Sequence, residues 1–407
     1  MILFAAALLI PTALSGLDAI YPDLDALYRD LHQHPELSQH EEKTAAKMAE
    51  RLRKLGFEVI TGVGGTGVVG VLRNGQGPTV LLRTDMDALP VEEKTGLPYS
   101  SQVPQVAHAC GHDLHMASWV GAATLLSQSK DRWRGTLIFI GQPSEEKVTG
   151  AKAMIADGLF KRVPKPDFLL AIHDKADLPS GKVGIISGYA LANVDTLEMT
   201  IFGKGGHGAF PHTTIDPVVL AARTVLALQT IVSRENNPLD PAVITVGSIH
   251  GGTKSNIIPD EVKLQLSVRT YKPEVRKRVL EAISRIAKGE AMSAGAPKDP
   301  VIAIVEGSNA TYNDPKLVER IAHALAGVIP TEEAPPVMGA EDFGEFGIAA
   351  GAPSMLIWVG AVDPAKFASG APLPSLHSSQ FAPDRERTLR TGVTTLVVSA
   401  LELLGKP

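Results

Sequence analysis

The sequence predicts an α/β protein of two domains: a mixed, mainly parallel sheet with helices on both faces, and a β-α-β-β-α-β sandwich inserted into it. Three observations carry this. Short apolar runs at residues 79–82, 136–140, 168–172 and 354–359 alternate with helical stretches, the pattern of strands buried on both faces. From about residue 193 the pattern changes to half-exposed strands and two amphipathic helices, and it lasts to about 310. Finally, 407 residues are too many for one compact core and suit two domains.

The elements follow in chain order. Residues 1–16 read MILFAAALLIPTALSG, an apolar leader too short to span a bilayer. Ala13-Leu14-Ser15 has the spacing of a signal peptidase site, so we expect export to a periplasm or the outside, with no stable membrane span. No Lys or Arg precedes the run; the alternative is a buried first helix in a cytoplasmic protein. Residues 17–55 carry a helical rhythm, interrupted at His34-Pro35 and stopped at Gly56, a residue suited to a helix end. The apolar runs named above are the strands, and polar residues follow each: Arg83-Thr84-Asp85-Met86-Asp87, Gln142-Pro143-Ser144-Glu145-Glu146 and His173-Asp174. Residues 114–126 are helical, with Asp113 placed to cap them.

The insertion holds strands at 196–203, 242–247, 261–270 and 300–305, and helices at 217–232 and 273–291. We therefore expect 17–192 and 311–407 to form the catalytic domain and 193–310 a separate one.

Net charge is −5, which offers no electrostatic grip on nucleic acid. Short basic clusters such as Arg51, Arg53 and Lys54 read as a solvated helix face. The single cysteine, Cys110, excludes an intrachain disulfide; a metal ligand or a small buried hydrophobe remains.

Ligands in parallel sheets bind beyond the carboxyl ends of strands, and the acidic and imidazole side chains fall there. In His108-Ala109-Cys110-Gly111-His112-Asp113 a loop lets Cys110 and His112 reach one point. Thiolate with imidazole suits zinc, nickel, cobalt or manganese, the soft ligand favouring the first three. Glu145 and Glu146 would repel unless a cation or proton sits between them, which suggests one as ligand and the other as general base. His173 and His377 are lone histidines, a type more often structural than ligating. Asp85 or Asp87 could accept the second ring N–H of a ligand histidine, and Asp342 could line the pocket. In the insertion, glycines flank His207 in GKGGHGAFPH and permit close approach, but the P-loop signature is missing. Asn256 and Arg269 lie in the neighbouring hairpin; Arg269 suits a substrate carboxylate as well as a surface ion pair.

Together the strings LHQHPELSQHE, TDMDALPVEE, HACGHDLHMA, GQPSEE, AIHD, GKGGHGAFPH, GGTKSNIIPD, MGAEDF and LHSSQF resemble the metallo-aminoacylase and carboxypeptidase family, in its hippurate hydrolase and indole-acetyl-amino-acid hydrolase branch. The resemblance runs from about Leu31 to Phe381 and implies a metallopeptidase-like fold. It implies two divalent cations held by Cys110, His112, Glu146, His173 and His377. It makes Glu145 the general base, Asp87 the orienting aspartate and His207 the oxyanion stabiliser, often supplied from the partner subunit. It places Asn256 and Arg269 near the substrate carboxylate, and the insertion as a lid or dimerisation domain of a homodimer or higher oligomer. Ser144 and Thr84 stand where the family usually has alanine, and the charged run after His173 departs from it, which bears on substrate size and polarity.

The implied function is hydrolysis of the amide bond of N-acyl amino acids or related small, peptide-like amides. A dipeptidase or carboxypeptidase on the same scaffold is the first alternative. A metal-dependent binding protein without catalysis is the second.

Overall fold

The computed structural model describes residues 13–406; residues 1–12 of the expected leader lie outside them. The chain divides into two compact units. The larger comprises the chain up to Ala190, Thr311–Pro336 and Asp342–Pro407; the smaller comprises Leu191–Ala310 and Val337–Glu341.

In the larger unit, helix α1 (Leu17–Gln33) ends before His34-Pro35, as the clash of a proline ring with a preceding helical residue requires. Helix α2 (Glu42–Lys54) buries Ala45, Met48, Ala49 and Leu52, one face of a 3.6-residue repeat. Its basic residues Arg51, Arg53 and Lys54 fill the last turn, where they meet the negative end of the helix dipole. Helix α3 (His112–Gln128) is buried almost all round and packs against α1 and against helix α4 (Arg385–Leu403). Gly111 precedes α3 in the left-handed conformation, so the helix starts two residues earlier than expected and Asp113 lies in its first turn.

The sheet has eight strands: β1 (Glu58–Val63), β2 (Gly67–Asn74), β3 (Thr79–Asp85), β4 (Gly135–Gln142), β5 (Phe168–Pro179), β6 (Val183–Ile185), β7 (Thr331–Glu333) and β8 (Ser354–Val362). Their order is β1-β2-β4-β3-β5-β8-β6-β7. The central four, β4, β3, β5 and β8, run parallel and are almost wholly buried, which explains their continuous apolar sequences. The sheet is therefore mixed and mainly parallel at its centre. One boundary differs from expectation. β5 continues through His173-Asp174-Lys175 to Pro179, because β8 pairs with it that far, with Trp358 opposite His173. The charged run is strand rather than loop.

The smaller unit is a four-stranded antiparallel sheet in the order Ala242–His250, Glu261–Thr270, Asn193–Phe202, Val301–Ser308. Val262, Leu264, Leu266 and Val268 alternate inward and share a core with Leu220 and Leu228 of helix Pro217–Thr230 and Val279 and Ile283 of helix Pro273–Ser293. The period-two pattern shows that only one sheet face is covered.

Candidate metal centre

The carboxyl ends of β3, β4 and β5 bring the polar residues of the larger unit together. Asp87 follows β3, and its backbone carbonyl lies 2.8 Å from His112 Nδ1. That bond fixes the imidazole so that Nε2 points away, and Nε2 is buried with no hydrogen-bond partner. Cys110, His112 and Glu146 offer ligand atoms that all lie within 4.8 Å of one another. His173 repeats the arrangement: its Nδ1 lies 2.8 Å from the Asp174 carbonyl and its Nε2 is 3.6 Å from Cys110 Sγ. His377 Nε2 lies 3.4 Å from Glu146 Oε2, and its backbone N–H donates to the Ala109 carbonyl at 2.8 Å. Glu145 Oε2 is 3.8 Å from His112 Nε2. All five expected ligands and the expected base thus converge on one place.

The donor set fits cations. A buried imidazole nitrogen without a partner is costly, and Glu146 Oε1 is a second buried atom without one. Both are relieved by an ion between them. Two imidazoles held through Nδ1 to backbone carbonyls have the outer bonds that metal-ligating histidines use. Burial pushes the Cys110 thiol well up, and Glu146 and Glu145 push it further; a bound cation reverses that and favours thiolate. Burial opposes charging of His112, yet Asp85, Asp87 and Glu146 raise its pKa well above the ordinary value. Burial also raises the Glu146 pKa. The carboxylates of Asp85, Asp87, Glu145 and Glu146 all lie within 3.8 Å of the His112 imidazole.

A buried frame surrounds these groups, and sequence reasoning missed most of it. His115, three residues after His112 and so on the same helix face, lies 2.8 Å from Asp85 Oδ1 and 3.0 Å from Asp174 Oδ1. Burial works against its charge, but the two carboxylates raise its pKa to about 9. Asp85 therefore serves His115 rather than a ligand imidazole through its side chain. Arg83, fully buried, donates from Nε to Gln142 Oε1 at 2.8 Å and from Nη1 to Asp85 Oδ2 at 2.8 Å. Asp342 accepts from Gln142 Nε2 at 2.6 Å and from the Ala151 N–H at 2.9 Å, so it belongs to this frame, and its carboxylate lies within 4.8 Å of that of Glu145. The position of His115 in HACGHDLHMA was one available signal; Arg83 and Gln142 showed only as polar residues at the ends of apolar runs, with nothing to name their partners.

Three expected site residues belong to the smaller unit. His207 is exposed, accepts from the Ala209 N–H through Nδ1 at 3.0 Å and packs on Phe210. Its neighbour Gly208 donates to the Asn256 carbonyl at 2.9 Å, so the two loops adjoin. Arg269 is half-buried and donates to the Met338 carbonyl at 2.8 Å.

The chain is 38% identical to thermostable carboxypeptidase 2 of Saccharolobus solfataricus over 382 residues, which is 93% of this chain and 94% of that one. It is 38% identical to the hippurate hydrolase of Campylobacter jejuni over 331 residues, 80% of this chain and 85% of that one. A Bacillus subtilis crystal structure, a dinuclear metal binding peptidase from the M20 family, superposes with a TM-score of 0.79 at 31% identity, covering 95% of this chain and all of that one. Residues 81–397 match peptidase family M20/M25/M40, and the chain is a member of that family of metal-dependent amidohydrolases and peptidases.

Proposed function

We propose that this chain hydrolyses the amide bond of N-acyl amino acids, with hippurate-like compounds as its substrate class. The observation that carries the reading is the convergence of Cys110, His112, Glu146, His173 and His377 beside Glu145. These five side chains would hold two divalent cations. Thiolate and three imidazoles favour zinc, nickel or cobalt over manganese. When bound, such ions supply a water of lowered pKa and an electrophilic pull on a carbonyl oxygen.

The rest of the chemistry falls to the chain's own groups. Glu145 takes a proton from the attacking water and returns it to the leaving amine nitrogen. Asp87 orients Glu145 and Glu146 through their backbone N–H groups. His207 is assigned the oxyanion, and Asn256 and Arg269 the substrate carboxylate, on the strength of the family resemblance; a homodimer is part of the same reading.

A carboxypeptidase activity is the second reading, favoured by the likeness to the Saccharolobus enzyme. A panel of hippurate, N-acetyl amino acids, dipeptides and longer peptides, assayed with metal-loaded protein, separates the two. The reading expects kcat/KM highest for the acylated amino acids. A preference for unblocked peptides would favour the second.

A further inference from the structure

We infer that Glu41, a residue outside the assigned centre, is a positioning residue that aims the general base through the peptide of Ser144. The inference rests on the reading of Glu145 as the base. Glu41 is fully buried at the start of α2, yet its side chain does not cap that helix. Its Oε1 accepts the Ser144 N–H at 2.9 Å and the Gln39 N–H at 3.0 Å, and its Oε2 accepts the Thr66 hydroxyl at 2.7 Å.

The two backbone donors share an unusual property. Gln39 has φ of 73° and Ser144 φ of 52°, left-handed values that cost non-glycine residues free energy and persist only where the surroundings enforce them. Val148 has φ of 48°, so the loop carrying Glu145 is strained on both sides of the carboxylate pair. Its internal bonds close it further: the Ser144 carbonyl accepts from the Thr149 and Gly150 N–H groups at 3.3 and 3.2 Å.

Three consecutive N–H groups of this loop are held by two buried carboxylates. Ser144 donates to Glu41, Glu145 to Asp87 Oδ1 at 3.1 Å and Glu146 to Asp87 Oδ2 at 3.0 Å. The segment bearing Glu41 also supports Asp87, because the Ser38 hydroxyl donates to Asp87 Oδ2 at 2.6 Å. With Glu41 withdrawn, nothing in this network restrains the Ser144 N–H, and the peptide can turn toward an ordinary φ. Glu145, next in the chain, turns with it. Glutamate has the reach for this task; the charge is incidental, since all three bonds need only acceptor oxygens or a partner for a hydroxyl that can also accept.

The test is therefore a comparison of Glu41→Gln, Glu41→Asp and Glu41→Ala in the metal-loaded full chain, reading kcat, KM, metal content and melting temperature. Glu41→Gln keeps an oxygen for both N–H groups and an amide for Thr66, and should retain most of the rate. Glu41→Asp keeps the charge but is one methylene short, and should lose kcat on the order of ten- to a hundredfold, with KM and metal content unchanged. Glu41→Ala should lose at least as much. A wild-type rate in Glu41→Asp would overturn the assignment, as would a loss of bound metal in parallel with the rate; both hold even if Glu41→Ala fails to fold. Glu145→Gln is the control: it stays inactive if only the Glu41 assignment fails, and it stays active if Glu145 is not the base.

Discussion

The Asp87 carboxylate receives the backbone N–H of Glu145 on one oxygen, at 3.1 Å, while its other oxygen receives that of Glu146, at 3.0 Å. Two adjacent acids are thereby given fixed and different directions by a third. Burial works against the charge of Asp87, but hydrogen bonds from His112, Ser38 and Glu146 hold its pKa below the ordinary carboxylate range, as an obligate acceptor requires. Asp87→Asn sets an amide N–H against one of these donors. We expect kcat to fall on the order of a hundredfold, what a displacement of about 1 Å costs, and chemical denaturation to show a loss of about 1–3 kcal/mol for a buried donor left unpaired.

His115 sits between Asp85 and Asp174, all three buried. Replacing it by phenylalanine takes one imidazole from both carboxylates, leaving Asp174 only His173 Nδ1 at 3.4 Å and Asp85 only the Arg83 guanidinium and the more distant His112. Breaking such an arrangement costs about 3–5 kcal/mol. Urea unfolding of His115→Phe in the metal-loaded state should show a loss of that size, and a loss below about 1 kcal/mol would mean that Arg83 and His173 sustain the frame without it.

Gly111 is needed twice. Its φ is 75°, and a Cβ there would lie 2.3 Å from Asp174 Oδ2. Gly111→Ala must therefore shift either α3, which starts at His112, or Asp174 beside His173. The expected result is loss of bound metal and of thermal stability together, read by elemental analysis and calorimetry; a variant with full metal content would show that the contact can relax.

Stability should fall on the alkaline side through His32. Burial opposes its charge, but Asp113, 2.6 Å from Nδ1, and Glu93, 3.3 Å from Nε2, outweigh burial and raise its pKa to about 10. A raised pKa stabilises fully below the unfolded-state value of about 6.5 and loses that contribution as pH climbs toward 10. The total is on the order of a few kcal/mol. Glu93 works at the other end: burial raises its pKa, but bonds from His32 and Ser101 bring it down to about 2, so its contribution is lost as pH falls below about 4.5. Denaturation of wild type and His32→Gln between pH 6 and 10 should give curves that converge as pH rises. Parallel curves would remove His32 from the account.

Much of this was legible in the residues, for a physical reason. Glu145 and Glu146 follow an apolar strand, where charge is expensive unless something uses it, and the period-two strand at 261–270 declared the separate sheet. The extent of β5 was hidden because Asp174, Lys175 and Asp177 look like loop; only pairing with β8 shows otherwise. The frame of Arg83, Gln142 and His115 was hidden because its partners come from elements up to 259 residues apart, as in Arg83 with Asp342. Glu41 falls within the helical rhythm of residues 17–55, and nothing local says that its side chain turns toward Ser144.

The most direct test of the whole account is elemental analysis of purified wild type and Glu145→Gln, each assayed against hippurate. Two equivalents of divalent metal should be found per chain in both, with turnover in wild type removed by chelation and restored by the metal, and with turnover in Glu145→Gln reduced by at least about a thousandfold. Substoichiometric metal in an active wild type, hydrolysis that survives chelation, or near-normal rates in Glu145→Gln would contradict it.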